Sequence, residues 1–230
     1  MARLQDIVTY CNQRLDIDSF DDYCPNGLQV EGCTQVRRIV SGVTACQALV
    51  EAAANAQGDL LLVHHGYFWR NEPGPLVGMK GRRVRGLMAA DISLLAYHLP
   101  LDAHPELGNN RQLGIRLCLD GGEPVDGLIW GQDLGSPLTA AELAARVESS
   151  LRRAPLMVGP RDLPLHRVAW CTGGAQGMLQ RAAAAGFDAF ISGEISEPTV
   201  HEARELGVLY LAAGHHATER YGVQALGAEL

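Results

Sequence analysis

Short apolar runs alternate along this chain with longer stretches in which apolar residues recur every three or four positions. The runs "RRIVSGV" (37–43), "DLLLVHH" (59–65), "ISLLAYH" (92–98), "HRVAWCT" (166–172), "DAFIS" (188–192) and "GVLYLAAGH" (207–215) read as strands. Between them, "LQDIVTYCNQRL" (4–15), "CQALVEAAANA" (46–56), "RVRGLMAA" (83–90), "NNRQLGIRLCL" (109–119), "TAAELAARVESSLRR" (139–153), "AQGMLQRAAAAG" (175–186), "EPTVHEAREL" (197–206) and "ATERYGVQAL" (217–226) read as helices. Thr139 and Glu142 stand at capping-box spacing, which marks the start of the fifth of these. Apolar strands that take turns with helices predict an α/β fold layered helix, sheet, helix.

The pattern also repeats. The stretch 38–65 lies over 167–194 at an offset of 129 residues without a gap, strand on strand and helix on helix. Six of the 28 aligned positions are identical, among them Arg38 with Arg167, Gln47 with Gln176 and Asp59 with Asp188. A second offset, of 117, sets "LLAYHLPLD" over "LAAGHHATE", so that His98 meets His215 and Asp102 meets Glu219. An internal duplication follows: two similar α/β lobes, residues 1–125 and 126–230, each ending a buried strand with His-x-x-x-carboxylate. Ends of inner strands are where α/β sheets bind ligands.

Composition narrows the class. With 230 residues and 47% hydrophobic content the chain can bury a full core. Six cysteines without a CxxC pair, and no signal-like N-terminus, point to reduced thiols and a cytoplasmic setting. No apolar stretch approaches the ~20 residues that span a bilayer, so no membrane partner is expected. A net charge of -7 argues against wholesale nucleic-acid binding and leaves only a local basic patch, Lys80, Arg82, Arg83 and Arg85, which a solvated helix face also explains.

The chemistry gathers at strand ends, where His64, His65, His98, Asp102, His215, His216 and Glu219 collect. Adjacent strand residues point to opposite faces, so His64 and His65 reach two different metals only if the backbone turns at Gly66. Imidazole and carboxylate without thiolate suit zinc, iron, manganese, cobalt or nickel. The first lobe brings two imidazoles in His64 and His65, whereas their counterparts in the second, Gly193 and Glu194, bring none. His98 or His104 could relay protons. "GYFWRNEPGPLVGMKG" (66–81) reads as a lid whose Tyr67, Phe68 and Trp69 could stack on a planar base and whose Arg70 and Lys80 could meet a phosphate, or as aromatics packed against a neighbouring subunit. Gly173, Gly174 and Gly177 in "CTGGAQG" make a turn able to offer N–H groups to an anionic cofactor or substrate, with a plain tight turn as the alternative.

Six motifs in order, "PNGLQVEG", "GVTA", "VHHGYFW", "HLPLDAHPELGNN", "GEISEPTVHEARELG" and "AAGHHATERYG", resemble the Nif-three-like dinuclear-metal family, the GTP cyclohydrolase I type 2 homologues. The resemblance implies two α/β lobes with the metal site between them, a toroidal homohexamer and two divalent ions per subunit. It assigns His64, His65, Asp102, His215 and Glu219 as ligands, Glu219 as the bridge and His98 as a supporting or proton-handling residue. Members generally carry one more short strand after the helix that ends here in "GVQALGAEL". Two functions are then open: a metal-dependent hydrolase acting on a nucleotide-like or cyclic amide small molecule, or a non-enzymatic protein that holds or delivers metal or serves in assembly.

Overall fold

The run Leu60–His65 becomes the strand around which the first half of the chain is built; Leu60, Leu61, Leu62, Val63 and His64 are all fully buried. It pairs in parallel with Ile39–Thr44 on one side and Ser93–Ala96 on the other, and Gly27–Val30 closes the sheet antiparallel to Ser93–Ala96. Because side chains alternate along a strand, Leu61 and Val63 face the helices Gln47–Asn55 and Gly78–Ala89 through Val50, Ala53, Val84 and Leu87. On the opposite face Gly227 of the helix Arg220–Glu229 comes close enough to Leu62 and Ser41 that an added Cβ would lie 3.7–3.8 Å from them. The helix Leu4–Arg14 joins this unit through Asn12, whose Oδ1 accepts from the Tyr97 hydroxyl at 2.8 Å, and through Arg14, which pairs with Glu229 at 2.8 Å.

In the second half, Leu165–Trp170, Ala189–Ser192 and Leu209–Ala212 form a parallel core extended antiparallel by Ile129–Leu138 and Glu123–Asp126 at one edge and Leu156–Val158 at the other. Val168, Trp170 and Ile191 pack on one face against Leu113, Leu117, Leu143, Val147 and Leu151, while Ala169, Phe190 and Tyr210 pack on the other with Leu179, Ala182 and Ala203. The layering is therefore helix, sheet, helix, and the fold is α/β as the hydrophobic pattern implies. Thr139 and Glu142 close their capping box as expected.

This computed structural model describes residues 1–230, which form two units, Met1–His104 with Gly222–Leu230, and Pro105–Tyr221. The boundary falls earlier than the 125/126 division drawn from the sequence, and the last helix returns to the first unit. The reason is packing. Trp170 Nε1 donates to Asn110 O at 2.9 Å, and Gly114 and Gly122 lie so close under the Trp170 ring that a Cβ would approach it to 2.6 and 2.1 Å, which ties residues 105–125 to the second sheet. Residues 222–230 are held to the first unit by the Arg14–Glu229 pair.

Each unit carries the same clamp. Asp59 accepts from Arg37 N and Arg38 N at 2.7 and 2.9 Å, and Asp188 from His166 N and Arg167 N at 2.7 and 2.8 Å. Arg38 donates to Ala56 O, and Arg167 to Ala185 O. Ile39 faces Leu60 in one sheet, and Val168 faces Ala189 in the other, each one repeat offset further on. These matched registers support the duplication read from the sequence.

Candidate metal centre

In the first unit His64 is completely buried, and its Nδ1 lies 2.8 Å from Tyr97 O. A carbonyl can only accept, so Nδ1 carries the proton and Nε2 the lone pair. That Nε2 stands 3.5 Å from Asp102 Oδ1, itself buried in the short helix Leu99–Ala103. His65, the last residue of its strand, has Nδ1 3.2 Å from the hydroxyl of Thr44, its cross-strand partner. The two rings converge, their centroids 4.5 Å apart, because the strand ends there and the chain turns at Gly66. Glycine is needed at this turn, since a Cβ at position 66 would lie 2.6 Å from the Ala96 Cβ on the neighbouring strand. His98 joins them, 5.1 Å from His64 and 5.7 Å from His65 by ring centroid, and one ring nitrogen from each of the three falls within 4.8 Å of the others.

In the second unit Gly214, at φ 103, turns the chain out of its strand into the short helix His215–Thr218. His215 Nδ1 is 2.7 Å from Glu194 Oε1 and Nε2 is 3.2 Å from Glu219 Oε2. Glu219 is buried, only 3% exposed. Glu219 above all, with Glu194 adding to it and burial working against both, holds the metal-free His215 imidazolium up to about 9. Glu194 is the repeat counterpart of His65, so the position that supplies an imidazole in one unit supplies the carboxylate that orients an imidazole in the other. The counterpart of His64 cannot carry a side chain at all, since a Cβ on Gly193 would lie 2.6 Å from His215 Cα.

Gly173 is shaped by the same crowding. At φ 69, an added Cβ would sit 2.0 Å from Glu219 Oε1. Its N–H donates to Thr218 Oγ1 at 3.0 Å, and that of Ala175 to Ser192 Oγ at 3.1 Å, so two of this turn's donors point inward. Gly174 borders the Glu194 carboxylate, 3.6 Å from a Cβ built there, while one built on Gly177 meets nothing within 4 Å.

The other expected residues have different surroundings. His104 is buried with Nε2 2.7 Å from the Arg14 guanidinium, which makes that nitrogen an acceptor. His216 is exposed. Of the expected lid, Tyr67 is buried and donates to Ala45 O at 2.8 Å, and Lys80 is buried against Pro73 O and Glu72, 5.5 Å from the Phe68 ring. Trp69 alone of these aromatics reaches the histidines, 5.0 Å edge-on from His98 and 5.8 Å from His65. Arg70 pairs with Asp21 at 2.7 Å. Sequence reading passed over Asp22, whose Oδ1 lies 2.7 Å from His98 Nδ1, and Glu194 as the partner of His215. A doubled Asp ahead of "CPNG" gives no periodic signal.

The donor set fits a hard-to-borderline divalent cation. His64, His65, His98 and His215 all have Nδ1 beside an oxygen, and where that oxygen is a carbonyl or carboxylate the tautomer left is the one found in histidine ligands braced by carboxylate or carbonyl partners. Asp102 and Glu219 add buried carboxylates, and the Cys24 sulfur lies within 4.8 Å of donor atoms of Asp22 and His98.

Comparison with known proteins identifies the family. The family model for Duf34/NIF3 (NGG1p interacting factor 3) matches residues 2–230. A protein of Allochromatium vinosum named GTP cyclohydrolase 1 type 2 homolog is 56% identical over 233 residues, covering 100% of this chain and 92% of its own length. A Pseudomonas aeruginosa protein of the same name is 56% identical over 230 residues, covering 97% and 90%. Among solved structures, the protein ybgI, described as of unknown function, superposes with a TM-score of 0.93 at 47% identity, covering 100% of this chain and 93% of its own. TTHA1606 from Thermus thermophilus gives 0.92 at 35% identity, with the same coverage. On the match along almost its whole length, the chain belongs to the DUF34/NIF3 family.

Proposed function

We propose that this chain is a dinuclear metal protein, acting as a metal-dependent hydrolase on a nucleotide-like or cyclic amide small molecule. His64, His65, Asp102, His215 and Glu219 are the residues that would hold two divalent ions. The observation that carries this reading is the braced imidazoles: His64 on Tyr97 O and His215 on Glu194, each keeping Nε2 beside a buried carboxylate. Bound divalent ions supply Lewis-acid polarisation and ready ionisation of water near neutral pH. The chain's own residues supply the rest. Burial of His64, Asp102 and Glu219 keeps the ligands ordered and excludes bulk water. His98, whose Nδ1–H is committed to Asp22, accepts or returns a proton at Nε2. Trp69, edge-on to His98, offers a face for a planar group. The names of the relatives favour a nucleotide-like substrate, and the resemblance favours a homohexamer. A screen of zinc- or manganese-loaded protein against nucleotides and cyclic amides tests the activity. Turnover that Glu219→Ala abolishes is expected, and turnover that persists in Glu219→Ala would contradict the assignment.

A further inference from the structure

We infer that Asp22 is a positioning residue for His98: it fixes the imidazole as the Nδ1-protonated tautomer and thereby presents the Nε2 lone pair on the side of His64 and His65. The inference rests on the proton-handling role proposed for His98 and supplies what that role requires.

Asp22 lies in "DDYCPNG", between the 3-10 turn Ile17–Ser19 and the strand Gly27–Val30. Its side chain is 3% exposed. An ionised carboxylate so deeply buried is costly unless donors surround it. Here four do: His98 Nδ1 at 2.7 Å, Asn26 Nδ2 at 2.9 Å, Leu99 N at 2.8 Å and Tyr23 N at 2.6 Å. Burial alone would push this carboxyl up, but the bonds from His98, Asn26 and Leu99 outweigh it and hold Asp22 down at about 2. It therefore stays an acceptor across the neutral range, and an ionised carboxylate accepts only, so His98 must donate through Nδ1.

Asn26 completes the clamp. While its amide N–H donates to Asp22, its Oδ1 accepts from His98 N at 2.7 Å, so one pair of side chains holds both the backbone and the ring of His98. The neighbouring Cys24 thiol is pushed up to about 12 by burial first and by Asp22 second, and it brings no competing charge. Trp69 braces the ring edge-on at 5.0 Å. An imidazole whose Nδ1–H is tied to a buried carboxylate keeps Nε2 as the proton acceptor, and the carboxylate stabilises the imidazolium that results. The pair Glu194–His215 has the same 2.7 Å geometry, but the Glu194 side chain is 47% exposed and the Nε2 of His215 faces Glu219. The dry, fully satisfied carboxylate is reserved for His98.

The tautomer of His98 tests this. Histidine labelled with nitrogen-15 is read by long-range NMR in metal-free protein at alkaline pH, where imidazole is neutral, and His98→Gln identifies the signal among the eight histidines. The expected result is a protonated Nδ1 and a bare Nε2 in the wild type, a shift of both ring signals toward the exchanged tautomer in Asp22→Asn, and a return toward the wild-type pattern in Asp22→Glu. Zinc bound per chain, counted on reloaded samples, should be the same in Asp22→Asn as in the wild type. A wild-type His98 protonated at Nε2, or an unchanged tautomer in Asp22→Asn, would overturn the inference. If Asp22→Asn does not fold, the wild-type tautomer still decides. Absence of zinc with the Nδ1–H tautomer in place would count against the metal reading and not against Asp22.

Discussion

Gly173 is the residue on which the second unit's ligand geometry most visibly depends, because the space its missing side chain leaves is filled by Glu219. Gly173→Ala should therefore act twice. The left-handed backbone at φ 69 penalises any Cβ by roughly 1–2 kcal/mol, and the new methyl group displaces the carboxylate. The expected outcome is a modest fall in unfolding stability by denaturant melt with a much larger fall in bound metal; full metal content in a folded Gly173→Ala protein would contradict it. The histidines divide the same way. His215→Ala should empty one metal position and Glu219→Ala should disturb both, whereas His98→Ala, removing a ring tied to Asp22, should leave metal content nearly intact. Elemental analysis of the three variants checks this, and loss of metal in His98→Ala equal to that in His215→Ala would reverse the roles.

The histidines of the proposed site were legible because they stand at the ends of apolar runs, while the full proposed ligand set came with the family resemblance. The orienting partners of the histidines were not legible. Asp22 and Glu194 act through contacts 76 and 21 residues away in the chain, and neither lies in a periodic segment. Tyr67 and Lys80 misled for the opposite reason: an aromatic and a cation in a Gly/Pro-rich stretch look like lid residues, but burial and bonds to Ala45 O and Pro73 O give them structural work.

Among the elements, the inner parallel strands were readable as continuous apolar runs, since helices cover both of their faces. The antiparallel edges were not. Ile129–Leu138 carries Gly131, Gly135 and Pro137 with polar neighbours, and four of its ten residues are exposed, so neither alternation nor an apolar run marks it. The short helix Leu99–Ala103, with Pro at its start, was hidden inside the motif that carries Asp102. Matched elements should behave alike where they share a clamp. Asp59 is held below its ordinary 3.8 first by the Arg37 N–H, then by Arg38 N–H, against burial. A carboxylate lowered in the folded state contributes stability above its unfolded pKa and loses it as pH falls through the folded one. Asp59→Asn should thus cost of order 1 kcal/mol at neutral pH, discounted for its partial exposure, and the difference from the wild type should shrink on acidification below 3.8. A difference that grows in acid, measured by urea melts across that range, would contradict the clamp's charge assignment.

For the whole molecule, the repeated pattern at an offset of 129 residues was visible, but the division between units was not, because Asn110, Gly114 and Gly122 are recruited by Trp170 from beyond any sequence boundary. The proposed hexamer has support in exposed apolar side chains at the start of one helix and just before it, Leu76, Val77 and Met79, with Met88 further along. Isolated scatter of such residues is normal, but a contiguous set marks a surface for association. Light scattering should give a mass near six chains of 24.7 kDa; a stable monomer at micromolar concentration would contradict the hexamer.

His64, His65, Asp102, His215 and Glu219 are proposed to hold two divalent ions per chain, with His64 and His215 braced through Nδ1. Counting metal tests this most directly: purified protein is stripped, reloaded separately with zinc, iron or manganese, desalted, and analysed for metal against protein concentration. Two ions per chain are expected for the wild type, falling to one in His215→Ala. A wild type that retains no metal after reloading, or that holds a single ion unaffected by His215→Ala, would contradict it.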